Sequence, residues 1–584
     1  MAYVHAARLA DVRATGCLVV HVEGRTLALF SCGDKVYAVD NRCPHMGFPL
    51  HRGTVKDGIL TCHWHHARFD LASGGTFDPW ADDVPAFAVQ IREGDVWVDL
   101  TPREDPRTHQ RQRLREGLER NISLVIAKAI IALLDGGDDP VEPFRNGLDF
   151  GVRYRQAGWG QGLTILTAMM NLLPHLALEE RSRALYHGLS AVARDCADAP
   201  PRFSLRPLPT AISDLAILKG WFRQFVEVRD AEGAERCLVS AIRTGAGQQQ
   251  IADMLFAAAT DRRYIDIGHP LDFTNKALEA LEHAGWEQAE PVLTSLIPSY
   301  ADASRMEESN AWRHPVDLVA LLQAAFEKLP AARAQGGRKR GTWERSSDLV
   351  PVLLGDDPRA STEALVEALR DGATEADLAS VVAYAAVLRL AQFHTSNEFT
   401  DWDTALHTLT FANAVHQGLL RVASSGEAED FPLLLRGVFD AAMSVYLDRF
   451  LNVPAARLPE PDGRREEMEE LLAALPQVLD QRQQTETASE IVARYLHGGG
   501  DPIRLRAVVG RLLLREDRDF HTIQAVEAAF RQEQELRGTG AGTHVMVAAA
   551  RYLAAHSPTA RAQGQTYQIA HRLNRGDRLF EEAE

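Results

Sequence analysis

The sequence is poor in several features that would point a chain of 584 residues toward a particular class. Positive charge is in deficit. The 63 Lys and Arg face 80 Asp and Glu, a formal net charge of −17, and an acidic surface argues against a nucleic-acid partner. There are only six cysteines. Cys17, Cys32, Cys196 and Cys237 follow no framework spacing, which excludes a disulfide-stapled fold and suits buried thiols in a reducing compartment. Long apolar runs are missing: the longest, Ile122 to Leu134, is interrupted by Lys128 and is too short to cross a bilayer. No membrane association is expected. Met1-Ala2-Tyr3-Val4-His5-Ala6 has no basic stretch ahead of an apolar one, so no signal peptide is expected and the protein should be cytoplasmic. Repeats of solenoid period are absent, as is a Cys-x-x-Cys-His haem attachment. No Gly-rich loop after a strand offers a dinucleotide site, which places NAD(P)H and flavin chemistry on a separate reductase.

What the sequence does contain is Cys43-Pro44-His45-Met46-Gly47 followed by Cys62-His63-Trp64-His65. Each arm offers one thiolate and one imidazole. Two Cys and two His can also hold zinc, but zinc fingers usually place like ligands together on each arm. Here both arms are mixed. The pattern resembles the Rieske family over residues 1–100, including the trailing Phe69-Asp70-Leu71-Ala72-Ser73-Gly74-Gly75. That resemblance implies a [2Fe–2S] cluster with Cys43 and Cys62 on one iron and His45 and His65 on the other. Rieske proteins of respiratory chains carry an extra, bridged Cys in each ligand loop. Phe48 and Trp64 stand in those places, which puts this domain with the ferredoxin and oxygenase branch. The family usually has Gly after the second His, where this chain has His66, and a bulky residue there meets backbone strain that Gly avoids. His63 and His66 flank the second imidazole, and the spacing selects His65.

Residues 17–22, 26–31, 35–39, 87–91 and 95–99 read as strands punctuated by Glu23-Gly24, Gly33-Asp34 and Glu93-Gly94. Thr101-Pro102-Arg103-Glu104-Asp105-Pro106 ends this texture. From Leu114 onward apolar residues recur at helical spacing almost without interruption, with no convincing strand. Thr374 with Asp377, and Ser361 ahead of Thr362-Glu363, are read as helix caps. The expected architecture is multidomain: a small all-β domain at 1–100, a linker at 101–112, and an all-α region at 113–584, as one helical domain or two. A loose echo runs through His187-Gly188-Leu189, His407-Thr408-Leu409 and His521-Thr522-Ile523, each near a helix start.

Three stretches of the helical region crowd polar and aromatic residues: Tyr264 to Lys276, Glu308 to Pro315, and His394 to Asp403 continuing to His407 and His416. Histidine with carboxylate suits a non-haem iron site. His394 and Glu398 would share a face if the helix before Asp401 extended that far, and Asp272 or Thr274 is read as a cap. His407 and His416, nine apart, point to opposite sides of one helix. The three stretches resemble the questin-oxidase-like family, helical proteins linked to oxygen-dependent ring-opening of aromatic polyketides. The resemblance implies a pocket lined by His269, His314, His394, His407 and His416, with an additional non-haem iron and a small organic substrate. The expected function is an oxidoreductase in which the cluster delivers single electrons to that site, with an external reductase or ferredoxin reductase as partner. The alternative is an electron carrier or redox sensor whose helical region is a docking scaffold.

Overall fold

In a computed structural model of the chain, residues 3–101, 105–209, 214–344, 346–423, 432–461, 467–577 and 579 are described. A small β domain precedes a large helical region, as expected from the change in periodicity. The chain divides into two compact units, Met1–Asn146 with Ala562–Glu584, and Gly147–Arg561.

In the first unit, strands β1 (Tyr3–Arg8), β9 (Asp95–Asp99), β8 (Ala86–Arg92), β4 (Lys35–Asp40), β3 (Arg25–Cys32) and β2 (Cys17–Val22) form one antiparallel sheet in that order. A second sheet holds β5 (Thr54–Lys56), β6 (Ile59–Thr61) and β7 (Arg68–Asp70). The hairpin turns are local. Glu23 and Gly24, Asp57 and Gly58, and Glu93 and Gly94 all have positive φ, the two-residue geometry whose twist matches antiparallel strands. Alternation along β3 then sorts the core, since successive side chains leave a strand on opposite faces. Leu27 and Leu29 join Val96 and Val98 on one side. Ala28 and Phe30 join Cys43, Leu60, Cys62 and Phe69 on the other. The five expected strands are present. Strand β1, the helix Leu9–Thr15 behind it and the short second sheet carried no sequence signal strong enough to read.

Helices complete this unit. Asp105 caps the helix Pro106–Glu119, with Pro at its first position, so residues 106–112 of the expected linker are helical. A short turn leads to the helix Ser123–Asp135. Arg113 donates to the carbonyls of Pro79 and Ala81, pinning the first helix to the β domain. The helix Ala562–Asn574 returns to the same unit, where Asn574 donates to Asp135 and Arg42 donates to the carbonyl of Asp577.

The second unit has no strand among its described residues. The expected helical texture is present, including Glu375–Ala391 behind a Thr374/Asp377 capping box. Three local readings need correction. Ser361 is not a cap, because Asp357 caps a helix that already begins at Pro358, where proline's fixed φ suits the first turn. Asp272 and Thr274 lie inside the helix His269–Ala284. The helix Phe399–Ala423 starts too late to place His394 and Glu398 on one face.

Candidate functional site

Two groupings of metal-ligand side chains stand out, one in each unit. The first is built from two loops that repeat one local design. The Cys43 amide donates to the carbonyl of Phe48, and the Cys62 amide to that of Ala67, both at 2.8 Å. Each loop therefore closes five residues after its cysteine. Each also has positive φ four residues after the cysteine, at Gly47 (86°) and at His66 (62°). The strain anticipated at His66 is thus present: a non-glycine residue holds the left-handed conformation. In both loops the amides two and three positions on point back at the sulfur, from His45 and Met46 to Cys43 and from Trp64 and His65 to Cys62. Such charge-assisted bonds favour the thiolate.

The expected ligands meet across the two arms, cysteine with cysteine and histidine with histidine. The rings of His45 and His65 are 4.8 Å apart, and Trp80 packs edge-on to His45 at 4.7 Å. Cys43 and Cys62 share a hydrogen bond that pushes the Cys43 thiol up and lowers Cys62 to about 6. Burial, then the charges of Lys128 and His65, lower His45 to about 4. His45 Nδ1 is buried with no hydrogen-bond partner, which in a folded protein asks for an explanation and fits a nitrogen meant for iron. Phe48 and Trp64 meet with ring centroids 6.3 Å apart, so packing stands where respiratory Rieske proteins have a bridge.

The second constellation lies in the helical unit. Among the described residues, the only three His, Cys, Asp or Glu donors close enough to share one ion are His269, His407 and His521, with ligand atoms within 4.8 Å of one another. They come from three helices, His269–Ala284, Phe399–Ala423 and Phe520–Glu535. His407 Nε2 and His521 Nε2 are 3.1 Å apart. The other His407 nitrogen bonds the Asp403 backbone carbonyl one turn back. The Asp403 carboxylate lies 3.8 Å from His521 Nδ1 and accepts from Tyr552 Oη at 2.7 Å. A hydrogen-bonded carbonyl such as that of Asp403 orients a metal-ligating imidazole. Burial lowers His269 to about 4 and His407 to about 3, so both rings are neutral and available as donors.

The chain leading into His269 is strained. Tyr264, Asp266 and Ile267 all have φ near 45°, and Gly268 follows at 94°. Left-handed backbone costs roughly 1–2 kcal/mol per non-glycine residue and most for a β-branched one. The run is held by Asp266, whose amide donates to the Ser304 carbonyl at 2.7 Å, and by Tyr264, which packs edge-on to Phe411 at 4.9 Å. Gly268 has no room for a side chain, since a Cβ there would meet Phe411 at 2.8 Å. Strain of this kind gathers at functional sites.

Of the five helical-region histidines expected in one pocket, the structure brings together His269 and His407. His314 is exposed beyond the helix Asn310–Arg313. His394 bonds Ser396 in a turn. His416 is buried beside Gln532 on the opposite side of its helix, as the nine-residue spacing required. His521 was not among the expected site residues, and its echo with His407 near a helix start was the one signal for it.

Two mixed Cys–His arms held by paired tight loops on a small β scaffold define an iron–sulfur domain. A family model for the Rieske [2Fe-2S] domain matches residues 2–88. The ferredoxin component of the naphthalene 1,2-dioxygenase system of Pseudomonas putida is 30% identical over 100 residues, 17% of this chain and 96% of that protein. The ferredoxin subunit of the 3-phenylpropionate/cinnamic acid dioxygenase of Escherichia coli is 30% identical over 99 residues, 17% of this chain and 92% of that one. Among solved structures, the ferredoxin of carbazole 1,9a-dioxygenase from Nocardioides aromaticivorans is 25% identical, covering 17% of this chain and all of that one, with a TM-score of 0.17. The chain belongs to the Rieske [2Fe–2S] family, and its N-terminal domain is of the electron-transfer kind. No helix among the described residues is long and apolar enough to cross a membrane.

Proposed function

We propose that the chain is a Rieske-dependent oxidoreductase whose N-terminal domain supplies single electrons to a metal centre held by His269, His407 and His521. A small organic substrate would be oxidised there with dioxygen. The observation that carries this reading is the convergence of three imidazoles from helices 138 and 114 residues apart, with Asp403 and its carbonyl behind two of them. When bound, the [2Fe–2S] group stores one electron at a time, and an ion at the three histidines supplies a redox-active Lewis acid. Cys43, Cys62, His45 and His65 would hold the first, and the loop amides would stabilise its thiolates. His269 and His407, kept neutral by burial, would hold the second together with His521, and the Asp403 carbonyl would orient His407. Phe273 and Phe520 border the site, with ring centroids 5.3 and 5.9 Å from His269, and suit an apolar or aromatic substrate. Fusing donor and acceptor in one chain raises their effective concentration. Electrons would enter from a separate reductase.

A second reading, an electron carrier with a helical docking scaffold, is favoured by the ferredoxin components among the relatives. Iron and acid-labile sulfide separate the two. On anaerobically purified full-length protein, the first reading expects about two irons with two sulfides from the cluster and a further iron without sulfide that His407→Ala removes. Matching iron and sulfide in both proteins would leave the carrier.

A further inference from the structure

The first ligand loop is touched by a charged residue from outside the β fold. Lys128, the residue that interrupts the apolar run of the helix Ser123–Asp135, donates from Nζ to the carbonyls of Pro44 at 2.5 Å and His45 at 2.8 Å. A lysine in an apolar helix has to have a reason, because burying a charge is unfavourable unless polar groups meet it. Asp82, the carboxylate whose charge acts on it most, makes no ion pair with it. Asp82 is held by Arg113 Nε at 3.1 Å and by His109 Nε2 at 3.0 Å, and the ammonium turns to the loop carbonyls instead. The carbonyls it holds belong to a ligand, His45, and to the residue between the two ligands of that arm.

A fixed positive charge in a low-dielectric surrounding favours whichever state of a neighbouring group carries more negative charge. For an iron–sulfur group that is the reduced state, and hydrogen bonds and charges outside the ligand set are a main lever on its potential. We propose that Lys128 is a positioning residue for the cluster: its ammonium, docked on the Pro44 and His45 carbonyls, stabilises the reduced state and raises the reduction potential. The proposal rests on the Rieske assignment of the first loop and is independent of the helical-unit metal centre. The hairpin of helices Pro106–Glu119 and Ser123–Asp135 carries the charge to the loop, and Arg113 anchors that hairpin.

The test uses full-length protein and three variants. Lys128→Arg keeps the charge, Lys128→Gln keeps a donor without the charge, and Lys128→Met keeps neither. The readouts are iron and sulfide content, the Rieske electron-paramagnetic signal of the reduced protein, and the potential at pH 7 from a spectroscopic redox titration. The expected result is a lower potential in both Gln and Met variants, with the Arg variant near wild type and the signal retained in all three. A potential unmoved in Gln and Met overturns the proposal. So does a shift in Met alone, because a hydrogen bond and not the charge would then be responsible. If the neutral variants fail to hold iron and sulfide, retention in the Arg variant supports the charge, and loss there too reduces Lys128 to packing and overturns it. A wild-type protein without the cluster would instead defeat the Rieske assignment itself.

Discussion

Replacing Lys276 with Met tests how the helical unit keeps its histidines in register. Lys276 Nζ lies 2.9 Å from Glu279 and 2.6 Å from Glu527, and none of the three side chains is more than 3% exposed. The pair to Glu527 joins the helix that begins at His269 to the helix that carries His521. Burial alone would raise Glu279, yet the charge of Lys276, with Arg531 and Arg421 behind it, lowers it to about 2. Breaking a buried pair by removing one partner costs about 3–5 kcal/mol, because the other charge is left uncompensated. The lower end applies here. Asn171 still donates to both carboxylates at 2.8 and 2.9 Å, and Arg531 stays 3.7 Å from Glu279. A loss of about 3 kcal/mol at pH 7 is therefore expected.

The sign of its pH dependence follows from the same groups. In wild type, Glu279 is depressed below its ordinary value, so its contribution is complete above about pH 4.5 and fades only toward pH 2. Without Lys276 the balance of burial over attraction reverses and the carboxylate titrates above its ordinary range. Its penalty is then full at pH 7 and shrinks on acidification. Thermal unfolding followed by circular dichroism should show Lys276→Met melting well below wild type at pH 7, with the gap narrowing at pH 5. Equal melting temperatures at pH 7, or a gap unchanged at pH 5, would refute the reasoning.

Other outcomes follow from single residues. His66→Gly removes a left-handed side chain at φ 62° and should stabilise the protein by up to about 1 kcal/mol in thermal unfolding, with an unchanged visible spectrum. Asp403→Asn should weaken divalent metal binding at the three histidines about 10–100-fold in a cobalt(II) titration, while His521→Ala should abolish it. Asp272 is pushed up to about 7 by burial, against the pull of Lys276 and Gln524. A raised acid loses stability as pH climbs from its unfolded value to about 7, so Asp272→Asn should be the more stable protein at pH 8 and match wild type near pH 4 in urea unfolding.

How much could be read in advance depended on how far apart the cooperating residues lie. The two loops that carry the expected cluster ligands were legible because each is a six-residue segment whose closure, positive φ and amide directions are local properties of Cys43 to Phe48 and Cys62 to Ala67. The grouping of histidines in the helical region was half legible. Crowding in sequence drew attention to His394, His407 and His416, but helical rise carries residues nine apart to opposite faces, and a turn takes His394 off the helix altogether. His314 looked like His269 in its setting, a histidine directly before proline near a helix end, and is exposed.

The sequence by itself determined the β-then-α order, the hairpins at Glu23-Gly24 and Glu93-Gly94, and the identity of the iron–sulfur domain, because periodicity, turn chemistry and ligand spacing act over a few residues. Only the tertiary structure decided that His521 joins His269 and His407, that Lys276 finds Glu527 from 251 residues away, and that Lys128 and the C-terminal helix belong to the Rieske unit. Those pairings are made by packing helix faces together, and a helix face records that it will be buried without recording against what.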